Sequence, residues 1–241
     1  MGILIATLPS TNVDQAALRS ARLLTEASAD EWRDRLKLEM AELAAGSGRY
    51  PRPMVSLNDA EWVWRELAVQ ALREDCKPEI VRLAVIAGLV RSTGARYGDL
   101  IRLRAEDLDL GPLDEDSPVG EGTAVVSHGK HRTERVHKVP PQVVVILRRW
   151  MDVRVTLCEA LEGSLPRPLL LTVHHTHDNG TTVSSGLPIT KQGLVLSWRR
   201  HVARTNARNM GDTPILPARF EPIRRAWIAA GLPDPGTLVR Q

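Results

Sequence analysis

Ser92-Thr93-Gly94-Ala95-Arg96-Tyr97-Gly98-Asp99-Leu100-Ile101-Arg102-Leu103-Arg104 follows closely on the longest apolar run of the chain, Leu83 to Val90. That run belongs to a helix opened by Pro78, whose missing N–H is harmless in a first turn. Gly94 interrupts the helical pattern, because glycine enters the left-handed region that ends helices without a Cβ penalty. Arg96 then opens into a cleft, where its planar guanidinium can hold a phosphate through two parallel hydrogen bonds. Asp99, one turn on, is placed to hold that arginine. The alternative is an i,i+3 ion pair on a helix surface, which contributes about 0.2–0.5 kcal/mol.

Working outward, Ser28 to Glu31 is a capping-box pattern before Trp32, Leu36, Met40 and Leu43 at helical spacing, and residues 46–54 read as a Gly/Ser/Pro linker. A second box, Asn58 to Glu61, opens a helix carrying Trp62, Leu67 and Leu72, and Asp99 to Leu103 begins another. Ala105–Gly122 is acidic and punctuated by Gly and Pro, as loops are. Thr123–Ser127 and Glu134–Pro140 are β-rich and flank a polar turn, His128–Arg132, which predicts a hairpin. Helix resumes near Pro141 through Val153, Leu169–Val173 reads as a short strand, and His174–Ser185 reads as a polar loop. Thr190–Arg208 is an amphipathic helix with Leu194, Trp198 and Val202 in register, and a last helix runs from about Arg219 to Ala230. The fold class expected is α+β: a mostly helical domain with a small antiparallel sheet or hairpin. With six Trp against two Tyr and one Phe, indoles must supply most of the large apolar anchors.

The box from Thr93 to Leu100, followed by Leu103-Arg104-Ala105-Glu106-Asp107-Leu108-Asp109, resembles the first signature of the tyrosine recombinases, or phage integrases. Gly129-Lys130 with Arg132, Arg135, Lys138 and Val139-Pro140 resembles the strand–turn–strand of the same family, about two residues longer. Arginine box, acidic stretch and lysine hairpin stand in the family's order. The resemblance covers about residues 55–241 and implies a recombinase-type catalytic domain there. Residues 1–54 would then be a remnant of a core-binding domain. It implies that Arg96 stabilises charge on a scissile phosphate, supported by Asp99. Lys130, or Lys138 in its place, would protonate the departing 5′ oxygen. Arg240 would be a second phosphate-binding arginine, with Thr237 where the family carries histidine, or else a terminal arginine with no role. The family's nucleophile has no match, since no tyrosine follows Tyr97, and Tyr97 itself sits inside the arginine box. Without it the 3′-phosphotyrosyl intermediate cannot form. Two readings stay open: a recombinase complete only with further residues, or a non-catalytic DNA-binding module on that scaffold. A helical protein-interaction domain is the third.

Charge distribution says more about partners than the net +3 does. Ala105–Glu121 holds seven acids and no Lys or Arg, whereas Lys191–Gln241 holds nine Lys/Arg against three acids. That asymmetry suits a face turned toward a polyanion. Arg200, Arg204 and Arg208 form an i, i+4, i+8 stripe on the last long helix, flanked by Arg199 and His201. With Arg132 and Arg135 they are candidate contacts to DNA phosphates. The partner expected is double-stranded DNA, with a homo-oligomer forming on it. No cofactor is expected, and His174, His175 and His177 lack an acid or cysteine to complete a zinc site. Two cysteines make no disulfide framework. The eight-residue apolar run is too short to cross a bilayer. The cytoplasm follows by elimination.

Overall fold

In a computed structural model of the chain, the described residues are 55–112, 119–129, 133–159, 161, 166–174, 176–178, 181–183, 185–209, 211 and 213–239. The helix expected after Ser28 and the linker at 46–54 lie outside them. Helix α1 (Leu57–Ala71) is capped by Ser56, whose hydroxyl accepts from the Asp59 N–H at 3.0 Å. The cap thus stands two residues before the expected Asn58, because a serine with extended backbone serves the same orphan donors. Helix α2 (Pro78–Thr93) has thirteen of its sixteen residues buried, so it is the central rod on which the other helices pack. Gly94 closes it at φ 67°, the left-handed cap that its sequence predicted.

The third helix is shorter than expected. α3 (Tyr97–Leu100) is a single turn, followed by a 3-10 turn at Ala105–Asp107. Part of the acidic stretch is ordered rather than looped: β1 (Leu108–Asp109) pairs with β2 (Gly122–His128), which pairs with β3 (Thr133–Val139) in the predicted hairpin. Alternate residues of β2, Ala124 and Val126 among them, turn into the core, as a half-buried strand requires.

After the hairpin, helix α4 (Pro141–Cys158) packs on α2, and Trp150 is fully buried with its indole N–H on the Leu169 carbonyl at 2.9 Å. Leu169–Val173 is not a ladder strand; Leu169, Leu170 and Leu171 are buried, and isolated bridges form at Leu171 and at Pro168 just before the stretch. The expected polar loop at 174–185 carries a small two-stranded ribbon, β4 (Thr176–Asp178) and β5 (Thr181–Val183). Helix α5 (Lys191–Ala207), capped by Thr190, buries Leu194, Trp198 and Val202 as predicted. Helix α6 (Glu221–Ala229) buries Trp227, and β6 (Thr237–Leu238) then adds to β3, giving the sheet order β1-β2-β3-β6. The described residues therefore form an α+β unit with a small antiparallel sheet, its core anchored by Trp150, Trp198 and Trp227.

Candidate nucleic-acid interface

Arg96 is the residue before α3, with extended backbone and an exposed side chain. Asp99 supports this turn, though not by gripping the Arg96 guanidinium. Its Oδ2 accepts the Arg96 backbone N–H at 3.0 Å, and its Oδ1 accepts from the Arg102 guanidinium at 2.8 Å. The same Oδ1 takes the Gly129 backbone N–H at 3.0 Å. One carboxylate, only 8% exposed, thus ties the arginine turn to the tip of the β2–β3 hairpin. The arginine it neutralises is Arg102, which leaves the Arg96 charge for something else.

Arg96 and Asp99 line a cleft of about 630 Å³ between α3, the Gly129 turn, α5 and the start of α6. Six cationic side chains reach it, Arg96, Arg102, Lys191, Arg199, Arg219 and Arg224, against two carboxylates, Asp99 and Glu221. Both carboxylates already have an arginine. Glu221 is held in a two-point pair by Arg224, Nε to Oε2 at 2.9 Å and Nη2 to Oε1 at 2.8 Å. Those bonds from Arg224 hold the Glu221 carboxyl below its usual range, against an upward push from burial and with Arg96 adding to the lowering. Arg224 also donates to the Gly94 carbonyl at 2.8 Å, so its fork is spent on structure. Arg96, Lys191, Arg199 and Arg219 are left with exposed charges and no side-chain hydrogen bond or ion pair among the described residues. The cleft therefore carries a surplus of exposed positive charge.

Its floor is apolar. Tyr97 stacks on Phe220 with centroids 5.4 Å apart, and Trp198 meets Phe220 edge-on at 4.9 Å. The Tyr97 hydroxyl has no hydrogen-bond partner among the described residues, and burial pushes its pKa well above the ordinary tyrosine value. A phenol buried in this way is not presented to a phosphate in the cleft.

The predicted stripe on α5 does not face this cleft. Arg204 is drawn inward to Glu79, a carboxylate only 3% exposed, at 2.9 Å. The Ser197 hydroxyl donates to the same carboxylate at 3.0 Å and accepts from the buried Arg82 at 2.8 Å. Burial pushes Arg82 down to about 10, with Glu79 countering. Arg200 lines a second hollow beside this network, and Arg208 lines a third beside Arg73 and Lys77. His201 is buried against Trp198 rather than displayed, and burial lowers its pKa. Besides the floor residue Trp198, α5 gives the cleft Lys191, Val195 and Arg199. They lie beside the buried stripe Leu194–Trp198–Val202, about 100° round for each residue, whereas Arg200 and Arg204 fall on the far side. That flanking position was the available signal, and a count of charges passes over it. Arg102 had one too, at i+3 from Asp99; Arg219 had none beyond its charge.

Of the hairpin candidates, Lys130 and Arg132 lie outside the described residues, as does Arg240. Lys138 pairs with Thr123 near the open end of the hairpin, six residues from the turn on its own strand. Its ammonium, 74% exposed, stands 3.8 Å from Glu121, so the alternative to Lys130 is not at the cleft. Arg135 is structural: it donates to the Pro235 carbonyl at 2.7 Å and fastens the segment that leads into β6. Thr237 is in β6, opposite Val136. His174 turns its Nε2 toward Glu79 at 3.7 Å; His175 and the side chain of His177 lie outside the described residues. Among the described residues no group of three or more His, Cys, Asp or Glu could hold a metal, and no helix is long and apolar enough to cross a membrane.

No family model matches the chain. No curated protein matches it in sequence. Solved structures do match in backbone course, each at 15% identity. XerA recombinase matches with a TM-score of 0.45, over 76% of this chain and 52% of its own. XerH site-specific recombinase bound to difH substrate, a pre-cleavage complex, matches at 0.46 over 74% and 42%. XerH bound to palindromic difH, a post-cleavage complex, matches at 0.44 over 72% and 40%. The chain spans about half the length, or less, of the recombinases it resembles.

Proposed function

We propose that the cleft binds a backbone phosphate of double-stranded DNA, and that the protein is a DNA-binding module of the site-specific recombinase type. The observation that carries this reading is the set of four cations, Arg96, Lys191, Arg199 and Arg219, left unpaired around one cleft whose carboxylates are already satisfied. Unpaired cations on a common wall attract a polyanion and release its counterions on contact. A phosphate presents the oxygens that two arginine forks and a lysine can share.

In this reading Arg96 grips the phosphate and Asp99 positions it through the backbone. Lys130, next after Gly129 in the chain, is the proton donor to a departing 5′ oxygen, and Arg240 is the second phosphate arginine. Strand breakage and rejoining through a 3′-phosphotyrosyl link needs a nucleophile from outside the described residues, because the Tyr97 hydroxyl is buried. That burial favours a second reading, a module that binds duplex DNA without cutting it. Both readings allow several copies to assemble on one duplex.

Anisotropy of a labelled duplex against salt tests the shared claim. Affinity falls steeply as salt rises, and Arg96→Ala weakens binding without lowering the melting temperature. Salt-insensitive binding, or none, overturns it. A nicked duplex separates the two readings: an adduct that survives denaturant identifies a recombinase, and tight binding without one identifies the module.

A further inference from the structure

Two histidines join the hairpin to the rest of the site. His128, the last residue of β2, and His137 of β3 place their Nε2 atoms 2.9 Å apart, with ring centroids at 5.1 Å. His137 is buried, and its Nδ1 is 2.9 Å from the Asp234 carbonyl oxygen. The other nitrogen of His128, Nδ1, faces Asp99 Oδ2 at 4.0 Å.

Proton placement follows from these partners. A carbonyl oxygen only accepts, so His137 Nδ1 carries hydrogen. Burial lowers the His137 pKa and so favours the neutral ring, against smaller upward pulls from Asp234 and with Arg135 also lowering it. Its Nε2 is therefore bare and must accept the hydrogen on His128 Nε2. A second proton on His128 can go only to Nδ1, the atom that faces the Asp99 carboxylate. That carboxylate holds the Arg96 backbone and the Gly129 N–H.

We propose that His128 is a positioning residue for the phosphate cleft: its second proton draws the imidazole onto Asp99 and clamps the hairpin tip against the Arg96 turn, with His137 fixing the ring. This rests on the phosphate-binding reading of the cleft. Besides Asp99 and His137, the charged groups around His128 are Arg102, which shares Asp99, and Arg135, Arg224 and Asp234 across the adjoining hollow. Arg102, Arg135 and Arg224 oppose the second proton, and Asp99, 4.0 Å from Nδ1, favours it. Lys130, His131 and Arg132 of the same turn lie outside the described residues.

Duplex affinity measured from about pH 8 to about pH 6, across the ordinary histidine range, reads the clamp. Wild-type affinity rises at least about fivefold as pH falls, a usual size for coupling between sites. His128→Gln, which keeps a donor for His137 but takes no proton, loses most of that rise, and His174→Gln keeps it. A His128→Gln profile that parallels wild type overturns the proposal. Nitrogen-15 spectra of the wild-type imidazoles give a test without DNA and without a variant that must fold: His137 shows hydrogen on Nδ1 and a bare Nε2. In Asp99→Asn, His128 takes up its second proton at lower pH than in wild type. The opposite His137 tautomer, or a His128 titration unmoved in Asp99→Asn, sinks the clamp. A duplex that binds at no pH sinks the phosphate reading instead, and the imidazole spectra still decide on the histidines.

Discussion

Arg96 and Arg102 stand on either side of one carboxylate, and which of them Asp99 neutralises decides what the cleft can bind. Asp99 pairs with Arg102 at 2.8 Å and touches Arg96 only through its main chain, so the Arg96 charge stays available. The same distinction separates the arginines of α5. Arg199→Ala and Arg219→Ala should each weaken duplex binding by about 1.5 kcal/mol, the scale of a hydrogen bond to a charged group, seen as a roughly tenfold rise in Kd. Arg204→Ala should act on stability instead. It strips the buried Glu79 of its only arginine hydrogen bond among the described residues, so the melting temperature drops while Kd stays within about twofold. Equal losses of affinity in Arg199→Ala and Arg204→Ala would contradict this division. At this scale the signal that singled out Arg96 in the sequence was a helix-ending glycine two residues before it. It misplaced Arg200, Arg204 and Arg208, since a charge stripe does not say which neighbour it meets. Lys191, and the separation of Arg199 from Arg200 and Arg204, became visible only once the buried side of α5 was fixed in space.

At the scale of elements, α2 is held so closely that its one glycine is a contact point. A Cβ on Gly88 would come within 2.9 Å of the Trp64 ring and 2.9 Å of a Val143 methyl, both buried. Alanine gains about 1 kcal/mol of helix propensity there, whereas overpacking a filled core costs about 1–3 kcal/mol, so the second effect wins. Gly88→Ala should lower the denaturation midpoint, and a raised midpoint would show that α1 and α4 can retreat from α2. The tie between α2 and α5 has a pH signature. Burial raises the Glu79 pKa, but hydrogen bonds from Arg204 and Ser197 bring it below the ordinary 4.5. A carboxyl depressed in the folded state contributes stability above its unfolded value and loses it as pH falls through the folded one. Acid unfolding below about pH 4.5 should therefore be less steep in Glu79→Gln than in wild type. Most elements were legible from period and caps: α2 from Pro78 to Gly94, the hairpin from its alternation, α5 from Leu194, Trp198 and Val202. The two-residue strands β1 and β6 were not. Their pairing is set by the long strand each lies beside, and two residues carry no period of their own.

Across the whole molecule, the cleft is where separate parts of the chain converge: the arginine turn after α2, the hairpin tip, the N-terminal half of α5 and the approach to α6. Residues far apart in sequence contribute unpaired positive charge to it, which is why the local excess after Lys191 pointed toward a polyanion before its location was known. The role proposed for this convergence is to grip DNA phosphate. The salt dependence of duplex affinity, measured for wild type and Arg96→Ala side by side, decides it. Log affinity should fall linearly with log salt for both, with a slope shallower by about one in Arg96→Ala at unchanged stability. Identical slopes and affinities for the two proteins would contradict it.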